Sequence, residues 1–187
     1  MKKLVLLAVL AASLSTTAWA QKVRLATSMG DIVLQLDAEK APKTVANFVQ
    51  YVKAGHYNGT IFHRVIDGFM VQGGGMQADL QEKPTRAPIP LESKNGLSNV
   101  RGSLAMARTQ VPDSATAQFF INLGDNLRLD AANAPDGNGY AVFGKVIEGM
   151  DVVDRIKAVP VGNQAGHQNV PQKAIQIKQA TLIGETK

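Results

Sequence analysis

Between Val23 and Ile183 the chain is a succession of short pieces rich in β-branched and aromatic residues, each closed off by turn residues, and only two stretches carry a helical period. That pattern points to a closed or nearly closed antiparallel sheet, with the helices capping its open ends. Val23 and Leu25, then Ile32, Leu34 and Leu36, alternate with polar residues on either side of Ser28-Met29-Gly30-Asp31. This predicts a strand, a tight turn and a second strand. Further strands are expected over 60–64, 69–72, 102–107, 118–122, 141–146 and 174–183. One helix should follow Ala41-Pro42, where Val45, Phe48, Val49 and Val52 share a face before Gly55, and another should span 150–157, on Val152, Val153 and Ile156. The loops 76–99 and 131–139 are long for a compact domain, and such loops are more often functional than idle.

The first twenty residues stand apart. Lys2 and Lys3 precede an apolar run from Leu4 to Leu14, and the stretch closes on Ala18-Trp19-Ala20. This is the pattern of a secretory signal peptide cleaved after Ala20. The alternative, a membrane anchor, fails on length, because an eleven-residue run at 1.5 Å per residue falls far short of roughly 30 Å of hydrocarbon. With no cysteine for a lipid anchor, the expected product is a single soluble domain from Gln21 to Lys187, exported to the periplasm, or secreted where the host has no outer membrane.

Composition narrows the chemistry. Zero Cys removes disulfide scaffolds, thiolate zinc sites, redox motifs and cysteine nucleophiles together. Loss of Lys2 and Lys3 lowers the net charge from +5 to +3, and the remaining basic residues are scattered, so no nucleic-acid partner is expected. No G-x-S-x-G, H-E-x-x-H or G-x-x-x-x-G-K-[ST] occurs, and His56, His63 and His167 have no carboxylate at ligand spacing, so neither metal nor cofactor is expected. Gly73-Gly74-Gly75 lacks the lysine and helix of a phosphate loop and is read as a bend where a Cβ would clash.

The segment that stands out is Phe62-His63-Arg64-Val65-Ile66-Asp67-Gly68-Phe69-Met70-Val71-Gln72-Gly73-Gly74. In regular strands Phe62 and Arg64 share one face, as do Met70 and Gln72 on the returning strand. A cation beside hydrophobes and an amide is an unusual mixture for a core; alternatively, Phe69 and Met70 are packing and Arg64 a surface charge. The segment resembles the signature of the cyclophilins, peptidyl-prolyl cis-trans isomerases. Three later stretches are similar in the same order: Gly102-Ser103-Leu104-Ala105-Met106-Ala107-Arg108, Ser114-Ala115-Thr116-Ala117-Gln118-Phe119-Phe120-Ile121-Asn122 and Tyr140-Ala141-Val142-Phe143-Gly144-Lys145-Val146. With the leader and Tyr140, the resemblance is greatest to bacterial periplasmic members.

The resemblance implies a closed eight-stranded antiparallel β-barrel capped by two α-helices, with Arg64 as the catalytic side chain. It implies a proline pocket of Phe69, Met70, Phe120 and Leu129, with Phe62 and Tyr140 among the substrate-binding residues. Gln72 and Gln118 would supply hydrogen bonds beside the pocket, and Ala107 with the backbone of Arg108 would hold the peptide. The expected partners are proline-containing segments of unfolded or partly folded exported proteins, met by a monomer. Where many eukaryotic members carry a tryptophan on the pocket rim this chain has Arg128, so weak binding of cyclosporin-class inhibitors is expected. Two alternatives remain. One is a chaperone or proline-peptide-binding module of the envelope that uses the same groove without turnover; the other is a jelly-roll-like or lectin-like barrel.

Overall fold

The computed structural model describes residues 21–184; the expected signal peptide, 1–20, lies outside the described residues. β1 (Lys22–Thr27) and β2 (Gly30–Leu36) form the expected hairpin, its turn fixed by the Thr27 hydroxyl, which donates to Gly30 O at 2.6 Å and accepts from Met29 N at 3.0 Å. Val23, Leu25, Ile32, Leu34 and Leu36 all point into the core, as their alternation requires. α1 (Pro42–Lys53) begins on Pro42 and ends before Gly55, whose φ of +67° turns the chain away. Its apolar face places Phe48 among Tyr57, Phe119 and Phe143, with ring centroids 5.0, 5.5 and 5.2 Å away. Ala41 supplies no side-chain cap; instead the Glu92 carboxylate, from the loop 76–99, accepts from Lys43 N, Thr44 N and Thr44 Oγ1 at 2.7–3.1 Å.

The remaining strands are β3 (Phe62–Ile66), β4 (Met70–Gly73), β5 (Ser103–Met106), β6 (Phe119–Asn122), β7 (Val142–Glu148), β8 (Val161–Gln164), β9 (His167–Pro171) and β10 (Ile177–Ile183). α2 (Met150–Lys157) buries Val152, Val153 and Ile156 against the sheet. It starts at Gly149, where φ is +84° and a Cβ would stand 2.2 Å from Asp31 O, so only glycine lets it approach β2.

Eight strands form one curled antiparallel sheet in the order β10-β1-β2-β7-β5-β6-β4-β3. The expectation of a closed barrel is corrected here. The edge strands β3 and β10 share no ladder; they meet through the isolated bridge Ile61↔Gln176 and bonds such as Phe62 N to Ile175 O at 2.9 Å. The seam stays open because β3 is short and bulged, and its flank is taken by β9 of a small β8-β9 hairpin that the sequence pattern did not reveal. For the same reason β10 begins at Ile177 and not at 174: Ile175 is buried in the seam, outside the regular strand.

Candidate functional site

Strand register sorts the residues of the second half of the sheet into rows. Val65, Val71, Ile121, Leu104 and Gly144 are successive cross-strand partners on β3, β4, β6, β5 and β7, and this row faces the main core. One residue along, Arg64, Gln72, Phe120, Ala105 and Val142 pair across the same strands. Because side chains alternate faces, this second row must lie on the opposite, outer surface. There Met70, Ala105, Phe120 and Val142 form a separate apolar cluster, bordered by Ile66, Phe69, Leu97, Ala107, Leu129 and Tyr140. Arg64 stands exposed at the end of the row and makes no hydrogen bond or ion pair among the described residues. Gln72 Nε2 donates to Gln118 Oε1 at 2.9 Å, which binds the two amides into one unit beside Phe120.

The fold thus gathers Arg64, Phe69, Met70, Gln72, Ala107, Gln118, Phe120, Leu129 and Tyr140 on or beside one outer groove. It does not bring Phe62 there. A register shift between Phe62 and Arg64 inserts His63 as an extra residue, so the two no longer share a face. Phe62 is fully buried in the inner core, 6.3 Å from the Phe119 ring centroid, which corrects its placement among the substrate-binding residues. The glycine run allows this crossing: a Cβ on Gly73 would meet Phe62 at 2.8 Å, on Gly74 Phe119 at 2.8 Å, and on Gly75 Gln118 at 2.4 Å. The bend read from the sequence is therefore a close approach that also seats Gln118.

The Arg108 side chain does not face the groove as a free cation. Its Nε donates to Gly139 O at 2.7 Å, its Nη1 to Thr109 O at 2.9 Å, and its Nη2 to the Asp136 carboxylate. Its guanidinium carbon lies 4.8 Å over the Tyr140 ring, and Tyr140 in turn meets Phe120 edge-on at 5.7 Å. Arg108 thus clamps the loop 131–139 and fixes one wall of the pocket. Backbone N–H groups of Asn138 and Gly139, with the Arg108 bond, hold the Asp136 carboxyl down at about 2.

The other wall is built by residues that sequence reasoning missed. Asn122 Nδ2 donates to Ser103 Oγ and Asn99 Oδ1, while Asn126 Nδ2 donates to Asn122 Oδ1 and Phe69 O at 2.7 and 2.8 Å. Asp130 accepts from Asn99, and Tyr140 N donates to Leu129 O. These amides moor the short 3₁₀ turn Leu127–Leu129 over the turn before β4, bringing Leu129 to the pocket and the Arg128 guanidinium carbon to 4.8 Å over the Phe69 ring. Asn99, Asn122 and Asn126 are nearly inaccessible, and nothing in their local sequence announces that burial.

Behind Arg64, His63 is buried with Nδ1 unpartnered, and burial first, with smaller coulombic contributions from His167 and Arg64, lowers its pKa to about 4. It is a neutral ring at ordinary pH. Among the described residues no three His, Cys, Asp or Glu side chains stand together.

The curled eight-stranded sheet that carries this apolar cluster, amide pair and guanidinium on its outer face superposes on solved β-proteins. A cyclophilin-type peptidyl-prolyl cis-trans isomerase from Cryptosporidium parvum superposes with a TM-score of 0.74 at 27% identity, covering 90% of this chain and 100% of that one. The same isomerase crystallised in the presence of the dipeptide Ala-Pro gives 0.72 at 28% identity, covering 87% and 98%. Residues 22–182 match the family model "Cyclophilin type peptidyl-prolyl cis-trans isomerase/CLD", and the chain belongs to this family of peptidyl-prolyl cis-trans isomerases. Among curated relatives, a peptidyl-prolyl cis-trans isomerase of Streptomyces antibioticus is 56% identical over 87% of this chain and 98% of its own length. Peptidyl-prolyl cis-trans isomerase B of Escherichia coli is 53% identical over 83% and 96%.

Proposed function

We propose that Arg64 is the catalytic side chain and that the outer groove is where the X-Pro bond turns. Rotation about this bond costs roughly 18–20 kcal/mol because amide resonance is lost, so uncatalysed exchange takes tens to hundreds of seconds. Neither a nucleophile nor a proton-transfer pair is needed. The ring must be gripped, the chain held, and a donor offered to the prolyl nitrogen, whose lone pair is freed as the bond twists. Phe69, Met70, Phe120 and Leu129 grip the ring. The Gln72–Gln118 pair and the backbone at Ala107 and Arg108 hold the chain.

Arg64 donates to the nitrogen. A guanidinium suits that task because it stays protonated and presents its N–H groups in a fixed plane. Only contacts that strengthen in the twisted state speed exchange, and a 10⁴-fold acceleration needs about 5.5 kcal/mol of such preference. The observation that carries the reading is Arg64 exposed and unpaired at the head of the row that continues into Gln72 and Phe120. An unpaired cation there keeps its donors for the substrate.

The test is exchange on a short X-Pro peptide, followed by NMR line shape, with the protein and its Arg64→Ala variant. The variant is expected to fold normally and to lose about 100-fold or more in kcat/KM; near-normal turnover would remove Arg64 from the mechanism. The leader-like first twenty residues and the absence of cysteine support a periplasmic monomer that assists folding of exported proteins. Cyclosporin should bind weakly, because Arg128 on the rim over Phe69 offers neither an indole N–H nor a flat apolar wall. Titration showing inhibition as strong as in tryptophan-bearing members would refute that expectation.

A further inference from the structure

Beside the groove stands a guanidinium that the mechanism does not use, that of Arg128 over Phe69. Four carboxylates near it have partners of their own: Asp136 pairs with Arg108, Asp67 stands 3.9 Å from Lys157, and Asp130 and Asp125 accept hydrogen bonds from Asn99 and from Arg101 N. Arg108 is neutralised and all but buried. Among the described residues neither Arg64 nor Arg128 has a carboxylate partner, and both are exposed. Arg128 is held in place without being neutralised. The 3₁₀ turn is moored by Asn126 and Asn99, and the Arg128 guanidinium carbon lies 4.8 Å over Phe69, a ring that carries no net charge.

We infer that Arg128 is a specificity-determining residue and that the enzyme prefers segments carrying an Asp or Glu within about two residues of the proline. This rests on the groove reading above. A ring seated against Phe69 brings its chain neighbours under the Arg128 guanidinium, where a carboxylate can accept two parallel N–H bonds. A lysine in the same place meets two unpaired cations. Because Arg128 is exposed, the attraction is modest and screened by salt.

The experiment compares kcat/KM by NMR exchange for short peptides containing Glu-Pro, Pro-Glu, Ala-Pro and Lys-Pro, at about 20 and 300 mM salt, with the full chain and its Arg128→Gln, Arg128→Lys and Arg64→Ala variants. At low salt one or both Glu peptides should exceed the Ala peptide by about 5-fold, as one exposed ion pair allows. The Lys peptide should fall below the Ala peptide. The Glu-to-Ala ratio should shrink at high salt, approach one in Arg128→Gln, and be partly restored in Arg128→Lys. Because the readout is a ratio between peptides on one preparation, a partly unfolded variant does not obscure it. Fast exchange of the Ala peptide with no preference for Glu, or a preference that survives Arg128→Gln, overturns the inference and leaves the groove intact. Arg64→Ala with normal turnover overturns both.

Discussion

The two faces of the same four strands follow opposite rules. On the inner face Val65, Val71, Ile121 and Leu104 are aliphatic and essentially inaccessible, and they belong to one core cluster with residues of both helices and the far side of the sheet. On the outer face the corresponding row holds a cation, an amide, an aromatic and an alanine. The inner row needs only volume and apolarity, so many residues would serve. The outer row mixes chemistries that packing does not call for, as the proposed grip on a substrate there requires. The lesson is that a period of two separates stability from function along a strand, one residue at a time.

Phe119 and Phe120 put this contrast to its hardest test, since they are neighbours in sequence and face opposite ways. Phe119 is fully buried against Phe48, Tyr57 and Phe62. Its replacement by Ala should cost about 4 kcal/mol, read as a fall in the denaturation midpoint, with kcat/KM of the folded fraction little changed. Phe120→Ala should cost about 2 kcal/mol, because water can enter the space it leaves, yet should lower kcat/KM more than 10-fold. Equal stability losses with equal activity losses would mean that the faces are not separable.

His63 is the point where the two faces interfere. As the extra residue in β3 it sends Phe62 inward and leaves Arg64 outward, and it is itself buried without a partner on Nδ1. Its pKa is lowered from 6.5 to about 4 by burial first and by coulombic contributions from His167 and Arg64 second. The unfolded chain therefore binds this proton at higher pH than the folded one. Stability should fall as pH drops from about 6.5 to about 4, by up to about 3 kcal/mol, and should level off below. Urea denaturation across this range checks it. His63→Leu should remove most of the slope, leaving the smaller part due to His56, whose pKa is also lowered by burial. An unchanged slope in the variant would show that His63 is not the group responsible.

What could be read from the sequence follows the same division. Alternation located the strands and the inner residues, and the hydrophobic spacing placed α2 at its observed bounds, 150–157. Residue type and order picked out most of the outer groove. What escaped was set by contacts between distant segments. A one-residue bulge cannot be seen in a pattern that only counts by two, so Phe62 was assigned to the wrong face. The open seam depends on whether β3 meets β10 or the polar β8-β9 hairpin, whose strands have too few apolar residues to announce themselves. The asparagine network and the Glu92 cap include bonds between residues up to 57 and 49 positions apart, and no local rule anticipates such partners.

The smallest effect should come from the clamp behind the outer face. Arg108 spreads its guanidinium over Gly139 O, Thr109 O, the Asp136 carboxylate and the Tyr140 ring. Lysine keeps the charge but has neither the planar fork nor the flat surface, so Arg108→Lys should preserve a link to Asp136 and lose the rest. Tyr140 would then wander against Phe120, loosening the pocket in ground and transition states alike. Uniform loss of grip raises KM and leaves kcat nearly unchanged. A rise in KM of about 3-fold with kcat within a factor of two is expected, a loss equivalent to about 0.7 kcal/mol. Because Asp136 stays ionised down to about pH 2, the wild-type KM should not reflect this pair anywhere between pH 5 and 8. A fall in kcat at constant KM would instead place Arg108 among the groups that act on the twisting bond, and would move the boundary between support and chemistry one residue closer to the strand.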